Sequence, residues 1–86
     1  MIQTIDAPIS VITAYNHLTS QFIPVKLKWH SREYTIITIG FHHHYRQGRT
    51  LFHVFSVATE EMFFRLELDT ETLMWRVTEI ADDLPN

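Results

Sequence analysis

Apolar and polar residues alternate most regularly in the first half of the chain. Over residues 24–29 three apolar side chains alternate with two lysines, and a run of β-branched and aromatic residues extends over 34–41. A period of two is typical of strands with one buried face, so the pattern predicts a β-hairpin. We expect His30 to pair with Glu33 at its turn. This register joins large apolar residues across the strands: Trp29 with Tyr34 and Leu27 with Ile36.

A second hairpin is predicted around Gly48, because glycine readily adopts the positive φ of a tight turn. With Arg46 and Arg49 as the closing pair, the chain returns through residues 50–58, which are apolar on both faces. A strand that is buried on both faces needs a cover on each. The second cover is either the sheet itself, curled into a barrel, or another copy of the chain. The residues assigned to such a dimer interface are Leu51, Phe55 and Val57.

The last hairpin joins residues 62–69 to residues 72–80. Pairing Asp69 with Thr72 aligns three apolar pairs on one face: Leu68 with Leu73, Leu66 with Trp75, and Phe64 with Val77. A short helix over residues 59–68 is the alternative interpretation, but the alternation of its apolar residues favours a strand.

The ends of the chain have weaker patterns. Within residues 1–22, the segment 9–15 is rich in β-branched residues and is predicted to be a strand, 16–21 a loop, and residues 81–86 a solvated tail. A chain of 86 residues has room for one domain. The sequence therefore predicts a single all-β domain, an antiparallel meander of five to six strands forming an SH3-like or partly open small barrel. Its predicted core is Val25, Leu27, Trp29, Tyr34, Ile36, Phe64, Leu66, Leu68, Leu73, Trp75 and Val77.

Composition narrows the class of protein. Hydrophobic residues make up 45% of the chain and the net charge is only −3, which excludes a disordered chain. The chain has no cysteine, so disulfides, thiolate nucleophiles and cysteine zinc sites are excluded and a reducing compartment is expected. No apolar run approaches the roughly 20 residues of a membrane helix. The first basic side chain is Lys26, which excludes a secretory signal, so we predict a cytoplasmic protein with no membrane contact.

Charge is divided between the middle and the end of the chain. Residues 26–53 carry five basic residues and one acid, whereas residues 54–86 carry two basic residues and eight acids. Exposed cross-strand ion pairs account for this division most simply. Basic residues interleaved with aromatic ones are also typical of proteins that bind single-stranded nucleic acid. The candidate nucleic-acid-binding residues are Lys26, Lys28, Arg32, Arg46 and Arg49.

The histidines are the side chains best suited to chemistry. With Arg46 paired to Arg49, His42 lies opposite His53, and His44 shares their face. Three imidazoles on neighbouring strands are the ligand set of a catalytic-type zinc site. No carboxylate is close enough in sequence to orient a ring, so exposed histidines that titrate near pH 6.5 are the alternative. The candidate metal ligands are His42, His44 and His53, and zinc is the only cofactor that the sequence suggests.

The sequence lacks the short signatures of common enzyme classes. It contains no glycine-rich nucleotide loop, no G-x-S-x-G and no H-E-x-x-H. We therefore predict a non-catalytic binding or assembly module that self-associates as a homodimer. A histidine metal-binding domain and an accessory domain for single-stranded nucleic acid are the alternatives.

Several segments resemble a family of small bacterial domains of unknown function that carry a W-x-G-R-x-Y-x-V hairpin. Residues 29–36 match this motif, with Ser31 in place of the family's glycine. The opening segment and three later ones follow the family's order, at residues 8–11, 52–54, 64–69 and 75–77. The resemblance implies an actinobacterial type of domain that stands alone or is appended to a DNA-repair polymerase. The family has no agreed activity, so the resemblance implies no catalytic residue.

Overall fold

Six antiparallel strands make up the protein in a computed structural model, which describes residues 1–82 and contains no helix in that range. Each strand pairs with the next, and the last returns to the first, so the sheet closes into a barrel. The predicted all-β meander is therefore confirmed. The predicted solvated tail, residues 81–86, began one residue too early, because Ala81 ends β6 and is buried; residues 83–86 lie outside the described range. Over residues 1–82 no helix is long and apolar enough to cross a membrane. The strands are β1 (Ile2–Asn16), β2 (Gln21–Trp29), β3 (Arg32–Gln47), β4 (Thr50–Thr59), β5 (Phe63–Asp69) and β6 (Trp75–Ala81).

The barrel is uneven because its two longest strands change partners along their length. In β1, residues 2–9 pair with β6 and residues 10–16 pair with β2. In β3, residues 32–35 pair with β2, and the ladder to β4 covers 36–47. The first half of β2 and the second half of β3 therefore share no ladder. The wall of the barrel is open between them.

The β2–β3 hairpin has a two-residue turn, as predicted, but the turn lies one residue earlier in the chain. Leu27 pairs with Tyr34, so the two turn residues are His30 and Ser31, and the predicted pairing of His30 with Glu33 is wrong. Both turn residues have positive φ, 50° and 64°. Positive φ at both positions is the type I′ geometry, which matches the twist of paired strands. Because neither residue is glycine, the residue types did not mark the exact position of this turn.

The other two predicted hairpins are shifted by the same amount in the opposite direction along the chain. Gln47 pairs with Thr50 at the β3–β4 turn, and Leu68 pairs with Trp75 in the last hairpin. Each register lies two residues from the predicted one. Side-chain direction in a strand repeats every two residues, so a shift of two leaves each side chain on its predicted face.

The core lies on the inner face of the barrel and contains most of the predicted residues. Leu73 is the exception, because the shift moves it into the β5–β6 turn, where it is 72% exposed. Val25, Trp29 and Ile36 are half-buried. The buried cluster consists of Leu27, Tyr34, Phe55, Val57, Phe64, Leu66, Leu68, Trp75 and Val77.

Closure of the barrel covers the inner apolar face of β4, and side chains of the neighbouring strands cover Val54 on the outer face. Phe55 and Val57 face the core, with 0% and 2% of their surface exposed. Val54 points outward and is covered from the neighbouring strands, where His43 and Glu67 are its partners. Two of the three residues assigned to a dimer interface therefore have no free surface for a second copy. The third, Leu51, is half-buried near the β3–β4 turn.

Candidate functional site

The alternating strand directions place the turns at two ends of the barrel. Residues 17–20, 48–49 and 70–74 form the turns of one end, which we call the histidine end. Residues 30–31 and 60–62 form the turns of the other, the charged end, where β1 also starts and β6 finishes. Groups that are far apart in sequence therefore meet at each end.

Three imidazoles come together on the inner face at the histidine end. His44 pairs directly with His53, whereas the predicted partner of His53 was His42. Nevertheless, Nε2 of His42 lies 2.8 Å from Nδ1 of His53, because diagonal neighbours on one face of a sheet are within reach. The rings of His44 and His53 have centroids 5.6 Å apart. The structure thus brings the three predicted ligands into one cluster by a different register.

His42 is anchored to the core through its ring. It stacks on Phe55 with 4.1 Å between centroids and 9° between planes. Phe55 in turn lies 5.7 Å from the ring of Trp75, on which Phe22 stacks. A continuous series of aromatic contacts therefore supports the histidines from below and fixes the orientation of His42.

His42 and His53 line a groove of about 480 Å³. The groove lies where the first half of β2 and the second half of β3 share no ladder, so it exists because β3 changes partners. Its other walls come from the turns at this end and from β2 and β5: Ser20, Gln21, Phe22, Ile23, Leu68, Thr70 and Leu73. The arrangement combines an apolar lining with two imidazoles and two hydroxyls, which is typical of a ligand-binding groove.

Burial lowers the pKa of His42 and that of His53 below the ordinary imidazole value of 6.5. Repulsion adds to this effect, from His53, His44 and His43 on His42, and from His44 on His53. Both rings are therefore neutral at about pH 7, and each has one nitrogen with a lone pair. A neutral imidazole is the form that binds metal ions.

Two of the three predicted metal ligands are in hydrogen-bond contact in the structure, and the third is not. His42 and His53 direct nitrogens at each other, while His44 lies on the same face but makes no hydrogen bond with either. Over residues 1–82 no three side chains of the metal-ligating types already surround one position. The assignment of zinc to His42, His44 and His53 remains a prediction.

His43 lies on the opposite face of β3. Its ring contacts Phe41, with 5.0 Å between centroids, and its Nδ1 is buried with no hydrogen-bond partner among the described residues. The alternation of a strand thus separates His43 from the neighbouring histidines. It serves as an internal control for any experiment on them.

The predicted nucleic-acid-binding residues are divided between the ends of the barrel. The first group lies around the β2–β3 turn and the second flanks the β3–β4 turn: Lys26, Lys28 and Arg32, then Arg46 and Arg49. Arg32 forms an ion pair with Glu61, and Lys26 lies 3.5 Å from the carboxylate of Glu33. These five residues do not form one continuous basic surface. Nucleic-acid binding remains a prediction.

A second groove, of about 370 Å³, has no histidine in its lining. Its walls include Ile2, Phe63 and Ile80, and its only ionisable side chains are Arg65 and Glu79. These two form an ion pair of 2.8 Å across β5 and β6. Each charge is therefore satisfied by the other, so the ionisable side chains of this groove are already paired.

Exposed apolar residues at the histidine end were not predicted from the sequence. Leu18 was placed in a polar loop and Leu73 in the core, yet they are 83% and 72% exposed. Tyr15 and Met74 are also exposed there, at 63% and 53%. The one available signal was a leucine inside an otherwise polar turn. The position of the second leucine depends on the register of β5 and β6, which the sequence did not reveal.

Comparison with known proteins adds no assignment. The chain matches no family model, no curated protein and no solved structure. The resemblance of residues 29–36 to the hairpin of small bacterial domains remains a prediction.

Proposed function

We propose that this protein is a non-catalytic binding and assembly domain that self-associates through its histidine end. The observation that supports this proposal is the exposure of two leucines at this end, Leu18 at 83% and Leu73 at 72%. Leu73 lines the groove, and Leu18 lies on the β1–β2 turn of the same end. Large apolar side chains grouped around a groove mark a contact surface, whereas apolar residues scattered singly do not.

The conformation of Leu73 supports a contact at this position. Its φ is 63°, a left-handed conformation that is strained for a branched side chain. The turn is held by Asp69, whose carbonyl accepts a hydrogen bond from the Leu73 amide at 2.7 Å and whose carboxylate accepts from the amides of Glu71 and Thr72. Strain and exposure both disfavour leucine in the isolated chain. Burial against a partner offsets both.

A second copy of the chain is the partner that this end fits. Each copy has protruding leucines and a groove that receives them, so a two-fold arrangement is self-complementary. Charge is complementary as well, since Arg46 and Arg49 have no ion pair within residues 1–82 while Glu71 lies on the β5–β6 turn of the same end. Glu71 accepts a hydrogen bond from the hydroxyl of Thr50 in its own chain but has no cation partner among the described residues. A two-fold contact at this end would bring the arginines of one copy to the end that carries this carboxylate in the other.

Sedimentation velocity over a range of micromolar concentrations tests this proposal. We expect the wild-type chain to dimerise with increasing concentration and a variant with Leu18→Ser and Leu73→Ser to remain monomeric. The matched control is Ile37→Ser, which removes a 64% exposed isoleucine from β3 outside this groove and should leave the dimer intact. A wild-type monomer at every concentration, or a dimer lost only in the control, would contradict the proposal.

A further inference from the structure

Two imidazole nitrogens face each other at the histidine end. Nε2 of His42 and Nδ1 of His53 are 2.8 Å apart and come from different strands. Two imidazoles bound to one tetrahedral Zn²⁺ at 2.0–2.1 Å hold their nitrogens about 3.3 Å apart. The pair in this structure, at 2.8 Å, therefore has to open by roughly 0.5 Å to hold a metal ion in place of the shared proton.

We propose that His42 and His53 bind a divalent transition-metal ion of the zinc class, with His44 as the third ligand. The site goes beyond the self-association proposed above and does not depend on it. His44 lies on the same face, directly paired with His53, and its side chain is exposed and free to turn toward the pair. Imidazole nitrogens suit Zn²⁺, Cu²⁺ and Ni²⁺ and not the oxygen-seeking Mg²⁺ or Ca²⁺.

The surroundings favour metal binding in two further respects. Stacking on Phe55 holds the ring of His42 in place, so less orientational freedom is lost when it binds an ion. The groove leaves the pair open to solvent, so a water molecule or a ligand oxygen has access to a fourth coordination position.

Proton balance is simple for this pair. Each neutral imidazole carries one N–H, and the hydrogen bond between His42 and His53 uses one of them. Metal binding through Nε2 of His42 and Nδ1 of His53 requires both of these nitrogens to be free of hydrogen. The ring that donates must therefore change tautomer and move its hydrogen to its other nitrogen, with no net release of protons from the neutral pair.

The proposed site differs from simple chelation by consecutive histidines. In an extended strand His42 and His44 point to one face and His43 to the other, so the first two alone hold metal as any histidine run does. The contribution of His53, from the adjacent strand, is what the structure adds. The variant that removes His53 is therefore the decisive one.

Calorimetric titration of tag-free, metal-stripped protein with Zn²⁺ tests the site. We expect one ion per chain, with affinity at least roughly tenfold weaker for His42→Gln and for His53→Gln, since each removes a ligand. The control His43→Gln removes a neighbouring histidine from the other face and should bind like wild type. Wild-type affinity in His53→Gln, or an equal loss in His43→Gln, would overturn the proposal.

Nuclear magnetic resonance of the imidazole nitrogens gives a second readout that does not rely on variants. Addition of Zn²⁺ to the wild-type chain should shift Nε2 of His42 and Nδ1 of His53, a mixed pattern that a flexible histidine run does not require. Shifts confined to His42 and His44 would overturn the proposal. Measured on a chain that sedimentation shows to be monomeric, the same shifts would separate this proposal from self-association.

Discussion

The two ends of the barrel differ in how their side chains are satisfied. At the charged end, Arg32 pairs with Glu61 and its guanidinium also lies 5.3 Å from the centre of the Tyr34 ring. At the histidine end, Leu18 and Leu73 are mostly exposed. Among the described residues, the rings of His42 and His53 hydrogen-bond only to each other. The charge of Arg32 is satisfied within a single chain, whereas the imidazole pair and the exposed leucines are groups that fit an ion or a partner. Apolar exposure is not confined to the histidine end, since Ile2 is 58% exposed where β1 starts. The comparison shows which end of a small barrel to test first.

The largest effect should come from the aromatic residue that supports the histidines. We expect Phe55→Ala to lower the free energy of unfolding by about 3–5 kcal/mol, because Phe55 is fully buried and the loss of its ring leaves a cavity in the core. In a domain this small, such a loss removes much of the total stability. Urea denaturation measures it.

The matched control for that prediction lies at the charged end. Arg32→Ala removes an exposed ion pair and should cost only about 0.2–1 kcal/mol. If the two variants lost similar stability, the histidine end would not be anchored through its core as described.

The two strained turns offer a sharper comparison. Leu73→Gly and Ser31→Gly each replace a residue at positive φ, 63° and 64°, and each should stabilise the monomer by up to about 1 kcal/mol. Only the first removes a side chain from the histidine end. We therefore expect Leu73→Gly to abolish dimerisation and Ser31→Gly to preserve it, as measured by sedimentation and thermal unfolding. Loss of the dimer in both variants would mean that turn strain, and not the leucine side chain, governs assembly.

The smallest expected effect is a dependence of stability on pH. The pKa values of His42 and His53 are lowered by folding, so below about pH 6.5 the unfolded chain binds more protons than the folded one. The free energy of unfolding should therefore fall as pH decreases from about 7 toward 5.

Urea midpoints across this pH range check the prediction. The variant with His42→Gln and His53→Gln should lose part of the decrease, whereas His30→Gln at the charged end should retain it. An unchanged slope in the double variant would show that other groups cause the decrease.

The alternation of the chain was enough to predict the fold and the faces of the strands. The registers were each wrong by two residues because no residue type marked the exact closing pair of a turn. The turn at His30 and Ser31 contains no glycine, and the last turn is lengthened by the cap that Asp69 forms. Gly48 correctly located the β3–β4 turn, but it did not specify whether Arg46 or Gln47 closes it. The faces were right because they repeat with the same period as the error. For that reason His42 and His53 still meet.

The groove, by contrast, was beyond what the sequence predicted. It arises because β1 and β3 exchange partners midway, and no local pattern marks that exchange. The exposed position of Leu73 follows from the true register. Both features are tertiary, and a pattern of apolar residues gives no information about either.

The exchange of partners also makes the ladder between β2 and β3 short. Only four residue pairs join β2 to β3, fewer than join any other two neighbouring strands. Because this ladder has the fewest residue pairs, we expect local opening of the barrel to begin there. The first half of β2 pairs only with β1 and forms one wall of the groove beside the imidazoles. We therefore expect local opening of the domain and access to the proposed metal site to depend on the same short ladder.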